Sequence, residues 1–196
     1  MGNSDPWDDG IPVERINGET VLMLPRPLLN HAEVKGAITC AFYRALHEKP
    51  CEVIGGVVVE LDDQNHFVPD MMVICDSAQI REDCIVGAPA LVVEVLSPST
   101  ELRDRGVKMC AYEKAGLQEY WLVDVVSRKI EIYRQIENHL TIARIYRYFS
   151  PKEQAENAAL HERHRLSDED MEQTITVDLC GGFTVSLGDI FENVLP

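Results

Sequence analysis

Two carboxylate residues interrupt apolar segments of this sequence, where an ionised side chain is costly. Glu94 stands inside the run Leu91–Leu96, and Asp70 follows Pro69 inside a second apolar segment. Burying a carboxylate costs several kcal/mol unless the group is paired or binds a cation. If the two segments are neighbouring strands, both side chains can point at one spot, where two hard oxygen ligands suit Mg²⁺ or Mn²⁺. The backbone carbonyl of Val95 is a candidate to complete that shell.

A lysine follows these carboxylates on a predicted helix. Asp104, Lys108 and Tyr112 are spaced four residues apart and therefore share one helix face. Lys108 is a candidate to orient or deprotonate a water molecule, or to neutralise negative charge that develops during phosphodiester cleavage. Two other interpretations stay open here. The three helix residues can form a solvated face with an ion pair, or Lys108 can neutralise Asp70 and Glu94 in a purely structural network.

Strands and a helix must position these side chains. Residues 90–96 are almost continuously apolar, which predicts a central strand buried on both faces. Capping residues at Ser97–Glu101 and a stop at Gly116 predict a helix that extends to about Ala115. The remaining predicted elements are a helix at 30–49 and strands at 51–61 (with a bend at Gly55-Gly56), 66–75, 119–124, 128–134 and 139–149. This order predicts a single α/β (α+β) domain with one mixed sheet flanked by helices.

The acidity of the chain is concentrated at its two ends. The net charge is -15 over 196 residues, which excludes a protein that coats nucleic acid non-specifically but allows a local basic patch. We predict an acidic N-terminal tail over 1–12 and one domain over 13–196. The charged stretch at about 151–173 has few apolar residues, so we predict a surface insertion that is partly helical or mobile.

The cysteines and the hydropathy of the chain indicate the cellular compartment to expect. The six cysteines form no CxxC pair and are predicted to be buried free thiols. The first fifteen residues lack the apolar segment of a signal peptide, and no run approaches the roughly 18 apolar residues of a membrane span. We therefore expect a cytoplasmic protein without membrane contact.

Several segments together resemble one known family. They are PDMMVI (69–74), GAPALVVEVLSPST (87–100), the residues at 104, 108 and 112, EYWLVD (119–124), VERINGE (13–19), Asn30-His31 and LCGGFTVSLGDIF (179–191). This set is similar to the Uma-type family of restriction endonuclease-like proteins, which have the PD-(D/E)XK nuclease fold. The resemblance covers residues 13–150 and 175–192, and its central block is highly specific.

The resemblance implies roles for individual residues. Asp70 matches the aspartate of the PD motif and Glu94 the acid of the second motif, so both would be metal ligands for phosphodiester hydrolysis. The chain departs from the superfamily pattern at Leu96, where a lysine is expected. In this family the lysine stands on the following helix, which makes Lys108 the third catalytic residue here. Glu14 is a further candidate ligand.

We therefore predict a Mg²⁺- or Mn²⁺-dependent endonuclease that acts on DNA. His31, Asp104 and Tyr112 are expected to support its cleft. The alternative is a non-catalytic, oligomeric interaction or regulatory module on the same fold, because an acidic surface opposes the approach of DNA. The strands at 128–134 and 139–149 are expected to form an exposed edge, which makes a homodimer plausible.

Overall fold

The computed structural model describes residues 13–23 and 28–195. The predicted acidic tail, 1–12, lies outside the described residues. The helices are α1 Leu29–Leu46, α2 Glu101–Arg103, α3 Met109–Ala115, α4 Pro151–Ala159 and α5 Leu187–Phe191. The strands are β1 Val13–Ile16, β2 Glu19–Leu22, β3 Glu52–Ile54, β4 Val58–Asp62, β5 Asn65–Phe67, β6 Met71–Ile74, β7 Cys84–Val86, β8 Leu91–Val95, β9 Glu119–Asp124, β10 Lys129–Ile136, β11 His139–Arg147, β12 Thr174–Val177 and β13 Phe183–Ser186.

The strands form two large sheets and a hairpin within a mixed α+β domain. The six-stranded sheet has the order β11-β10-β9-β8-β6-β3, the five-stranded sheet has the order β2-β1-β5-β4-β7, and β12 pairs with β13. The sequence predicted one mixed sheet. The difference arises because the predicted strand 51–61 is two strands, β3 and β4, and the predicted strand 66–75 is also two strands, β5 and β6. In each case the two halves pair in different sheets.

Strand β8 lies in the middle of the six-stranded sheet. It is antiparallel to β6 and parallel to β9, and all of its residues are buried. The predicted convergence of Asp70 and Glu94 required their segments to be neighbours, and they are, although Asp70 lies one residue before β6. Val93 packs on the side of α1 and Val92 on the side of α3 and the second sheet. Because side chains alternate along a strand, Glu94 faces the side of α3.

The helical segment after β8 is not uniform. It begins as α2, continues as a π-helical turn over Asp104–Lys108 and ends as α3, before Gly116 at a φ of +88°. A π turn is wider than an α turn and is frequent at functional sites. Asp104 and Lys108 are both buried, so the interpretation of this face as solvated is wrong.

Residues 151–173 contain one regular helix, α4. It begins with a capping box in which the Ser150 side chain accepts from the Glu153 backbone N–H while the Glu153 carboxylate accepts from Ser150. These hydrogen bonds, with the nearby Arg128, lower the pKa of Glu153 to about 2. No residue of α4 is buried, so its own capping is the local reason that it is helical.

Candidate functional site

The Lys108 ammonium group is surrounded by three carboxylates from different parts of the chain. Its Nζ lies 2.8 Å from Glu14 Oε1, 3.0 Å from Glu94 Oε1 and 3.2 Å from Asp104 Oδ1. None of these four residues is more than 3% exposed. Strand β1, strand β8 and the π turn each supply one carboxylate, so folding alone brings them together.

The charges in this cluster are strongly coupled. Burial raises the pKa of Glu94 well above its usual value, with Asp104 adding to the effect and Lys108 opposing it. Burial lowers the pKa of Lys108, but Glu94, Glu14 and Asp104 outweigh it and hold that pKa well above the usual value. A lysine held in its charged form does not take a proton from water. The close carboxylates favour the electrostatic roles predicted for Lys108 over water deprotonation, and its role stays a prediction.

Asp70 lies next to this cluster with partners of its own. Its Oδ1 is 3.1 Å from Lys35 Nζ and its Oδ2 is 3.4 Å from His31 Nε2, while the Val95 N–H donates to Oδ2 at 2.9 Å. Burial raises the pKa of Asp70, but these partners outweigh it and the pKa is lowered. The hydrogen bond to Asp70 in turn raises the pKa of His31. Lys108 thus neutralises Glu94, whereas Asp70 is neutralised separately from α1.

The backbone position of Asp70 depends on a close approach by Gly55. The N–H of Gly56 donates to the Pro69 carbonyl at 3.1 Å, and a Cβ atom on Gly55 would overlap the carbonyl oxygen of Asp70. The predicted bend at Gly55-Gly56 is therefore the point where the chain leaves one sheet and also the contact that sets Asp70 in place.

We expect Gly55→Ala to destabilise the protein by about 1–3 kcal/mol, because the added methyl group overpacks against rigid backbone. The measurement is the free energy of unfolding in urea. Gly188→Ala is the matched control, since its Cβ would meet only the Ser186 Oγ at 3.4 Å and alanine favours its helix. Equal stability of the two variants would contradict the close approach.

A cavity of about 1030 Å³ opens beside the carboxylates. Most of the predicted site residues line it: Glu14, His31, Asp70, Glu94, Val95, Asp104 and Lys108. Tyr112 does not line it but is fully buried behind it, with its ring edge-on to Phe67 at 5.3 Å. The sequence interpretation missed Lys35 and Arg103, which also line the cavity. The signal for Lys35 was its position four residues after His31, on the same face of α1.

The donor set fits a divalent cation. Four carboxylates and two lysines share this cavity: Glu14, Asp70, Glu94, Asp104, Lys35 and Lys108. Arg103 also lines it, so the carboxylates outnumber the cationic groups by one when all are ionised and His31 is neutral. Carboxylate and carbonyl oxygens are the ligands that Mg²⁺ and Mn²⁺ prefer.

Comparisons with known proteins relate this chain to a family model, a curated relative and a solved structure. A family model, Uma2, described as "Putative restriction endonuclease", matches residues 6–166. The uncharacterized protein slr1290 of Synechocystis sp. is 36% identical over 110 residues, which are 54% of this chain and 57% of that protein. The chain thus spans little more than half of that relative. A crystal structure described as a putative nuclease belonging to DUF820, from Anabaena variabilis, superposes with a TM-score of 0.65 at 18% identity, covering 95% of this chain and 93% of that chain.

Proposed function

Because this chain belongs to the Uma2 family, described as "Putative restriction endonuclease", we propose that it is a divalent-metal-dependent endonuclease that hydrolyses phosphodiester bonds of DNA. The observation that carries the proposal is the convergence of four carboxylates and a buried, charged lysine beside one open cavity. A cluster with unbalanced negative charge attracts a metal ion, and cationic residues at the same cavity attract a phosphate.

In this proposal Asp70, Glu94 and the carbonyl of Val95 hold Mg²⁺ or Mn²⁺, with Glu14 as a further ligand. Such an ion, when bound, polarises a phosphoryl oxygen and lowers the pKa of water. Lys108 stays protonated and stabilises the negative charge that develops on the phosphate. It is fixed for this role by its carboxylate neighbours, so little reorganisation is needed during the reaction.

Two cationic residues at the cavity are candidates to contact phosphate. Lys35 and Arg103 line it together with hydroxyl groups from Thr39, Ser99 and Thr100. Lysine, arginine and hydroxyl side chains are common partners of phosphate oxygens. In a chain of net charge -15, these groups and a bound metal ion would together offset the repulsion of DNA at this cavity.

The proposal is tested by incubating the protein with supercoiled, linear, single-stranded and branched DNA, with Mg²⁺ or Mn²⁺. We expect the wild type to cut at least one of these substrates only with metal present, and Asp70→Asn to lose at least about 100-fold of that activity. Asp63→Asn is the matched control, because that side chain is exposed and outside the cavity.

The same assay separates the proposal from its alternative. If the wild type cuts none of the substrates and does not bind short duplexes at about 50 mM salt with metal present, the nuclease proposal fails. The fold then serves as a non-catalytic, oligomeric interaction or regulatory module.

We also propose that the protein forms a homodimer and acts in the cytoplasm. Strand β11 is an edge of the six-stranded sheet and exposes Ile142 and Ile145, which supports pairing with a second copy. A symmetric pair would present one site to each DNA strand. Among the residues that the structure describes, no helix is long and apolar enough to cross a membrane.

A further inference from the structure

Three cysteines that are distant in sequence converge away from the cavity. The Sγ atoms of Cys51, Cys75 and Cys180 all lie within 4.8 Å of one another. Pairing of β3 with β6 brings Cys51 beside Cys75, and the turn between β12 and β13 supplies Cys180. The prediction of buried free thiols is wrong for Cys75, which is exposed. It is also wrong for Cys40 and Cys110, which are exposed.

One disulfide does not account for three converging sulfurs. Cys51 Sγ is in contact with the sulfurs of both Cys75 and Cys180, but a sulfur atom forms only one disulfide bond. The Cα atoms of Cys51 and Cys180 are 7.2 Å apart, beyond the separation of about 6.8 Å that disulfides usually span. A Zn²⁺ ion binds thiolates at about 2.3 Å, so sulfurs around it are about 3.8 Å apart. The 3.5 Å between the sulfurs of Cys75 and Cys180 is close to that spacing, whereas the two contacts of the Cys51 sulfur are much shorter.

The turn that carries Cys180 is held in an unusual conformation. Cys180 has a φ of +50°, in the left-handed region that favours glycine, and Gly181 and Gly182 follow with φ of +87° and +82°. Lys49 lies two residues before Cys51, and its Nζ donates at 3.2 Å to the carbonyl of Gly182, two residues after Cys180. This hydrogen bond joins the two segments that carry Cys51 and Cys180.

We infer that Cys51, Cys75 and Cys180 bind one Zn²⁺ ion as thiolates. Each thiol gives up its proton to solvent when the ion binds. Within residues 13–23 and 28–195, no fourth histidine, cysteine or carboxylate joins the group, and the remaining tetrahedral position is available to water or an added thiol. The ion ties the β12–β13 hairpin to the edge of the six-stranded sheet. This site is independent of the proposed nuclease activity.

The test is metal analysis of the full-length protein, expressed with zinc in the medium and purified under reducing conditions without chelators. We expect about one Zn²⁺ per chain. We also expect an intense thiolate-to-metal charge-transfer absorption after replacement of zinc by Co²⁺. Cys180→Ser should lose the ion and that absorption. The triple variant Cys40→Ser, Cys84→Ser, Cys110→Ser should keep both, because these cysteines lie outside the cluster.

Thermal unfolding gives a second readout that does not depend on activity. Removing zinc with a strong chelator should lower the Tm of the wild type and of the triple variant but not of Cys180→Ser. Zinc-free wild type, or equal zinc content in wild type and Cys180→Ser, would overturn the inference. If the protein prepared without reductant contains no metal and its mass is two hydrogens below that of the reduced protein, the cluster holds a disulfide instead.

Discussion

Replacing Glu94 with glutamine should lower metal-dependent DNA cleavage by at least about 10³-fold, equivalent to about 4 kcal/mol of transition-state stabilisation, without unfolding the protein. Glutamine keeps the shape of the side chain but removes the charge that a metal ligand needs. Burial already disfavours the ionised form of Glu94, and Lys108 keeps Glu14 and Asp104 as partners, so the folded state tolerates a neutral group there. The measurements are cleavage rates with Mg²⁺ and Mn²⁺ and the free energy of unfolding in urea.

The matched control is Glu52→Gln, which makes the same chemical change at an exposed position in β3. This variant should cut DNA at the wild-type rate. Wild-type cleavage by Glu94→Gln would exclude Glu94 as a metal ligand and remove the main support for the proposed mechanism. Unfolding of Glu94→Gln would instead assign the carboxylate a structural role, and Asp70→Asn would then decide the question of activity.

Lys108→Met should destabilise the protein by about 3–5 kcal/mol at neutral pH, because it leaves buried carboxylates without their shared cation. Glu14, Glu94 and Asp104 all lie within 3.2 Å of the Lys108 ammonium. Methionine fills similar space but supplies no charge. The measurement is urea unfolding, with Lys114→Met as the control because Lys114 is exposed on the same helix.

The destabilisation caused by Lys108→Met should decrease as the pH falls. The pKa of Glu94 is already raised in the folded state, and loss of Lys108 removes an effect that lowers it. A carboxyl group with a raised pKa binds more protons in the folded than in the unfolded state, so stability falls as pH rises above its unfolded value of about 4.5. Lys108→Met should therefore approach wild-type stability as pH falls towards about 5. A loss of stability that is the same at every pH would contradict the charge coupling.

Local sequence context was enough to single out residues that line the cavity. Glu94 and Asp70 stood out because each interrupts an apolar segment, and β6 and β8 are neighbours as their convergence required. The family resemblance built on these motifs is confirmed by the family model, which covers residues 6–166. The fold shared with the structure described as a putative nuclease confirms the predicted fold class.

Local sequence patterns could not predict which segments distant in the chain come together. The segments 51–61 and 66–75 each look like one strand because both halves are apolar, yet each is divided between two sheets. The contact of Glu14 with Lys108 joins residues 94 positions apart, and no periodicity encodes it. The same holds for Cys51 and Cys180, which come together only when the β12–β13 hairpin docks. The four-residue spacing put Tyr112 on the same helix face as Lys108. It could not show that Tyr112 lies behind the cavity and does not line it.

The site forms only when both sheets and the helical segment after β8 are folded, because each of them supplies one of its charged residues. Glu14 belongs to the five-stranded sheet, Glu94 to the six-stranded sheet, and Lys108 to the helical segment after β8. The N–H of Val68, at the crossing between the sheets, donates to Glu14 Oε1 at 3.1 Å. Local opening of either sheet therefore separates the charged groups before the rest of the molecule unfolds. A newly synthesised or partly unfolded chain lacks the site altogether, so the proposed nuclease activity requires completed folding.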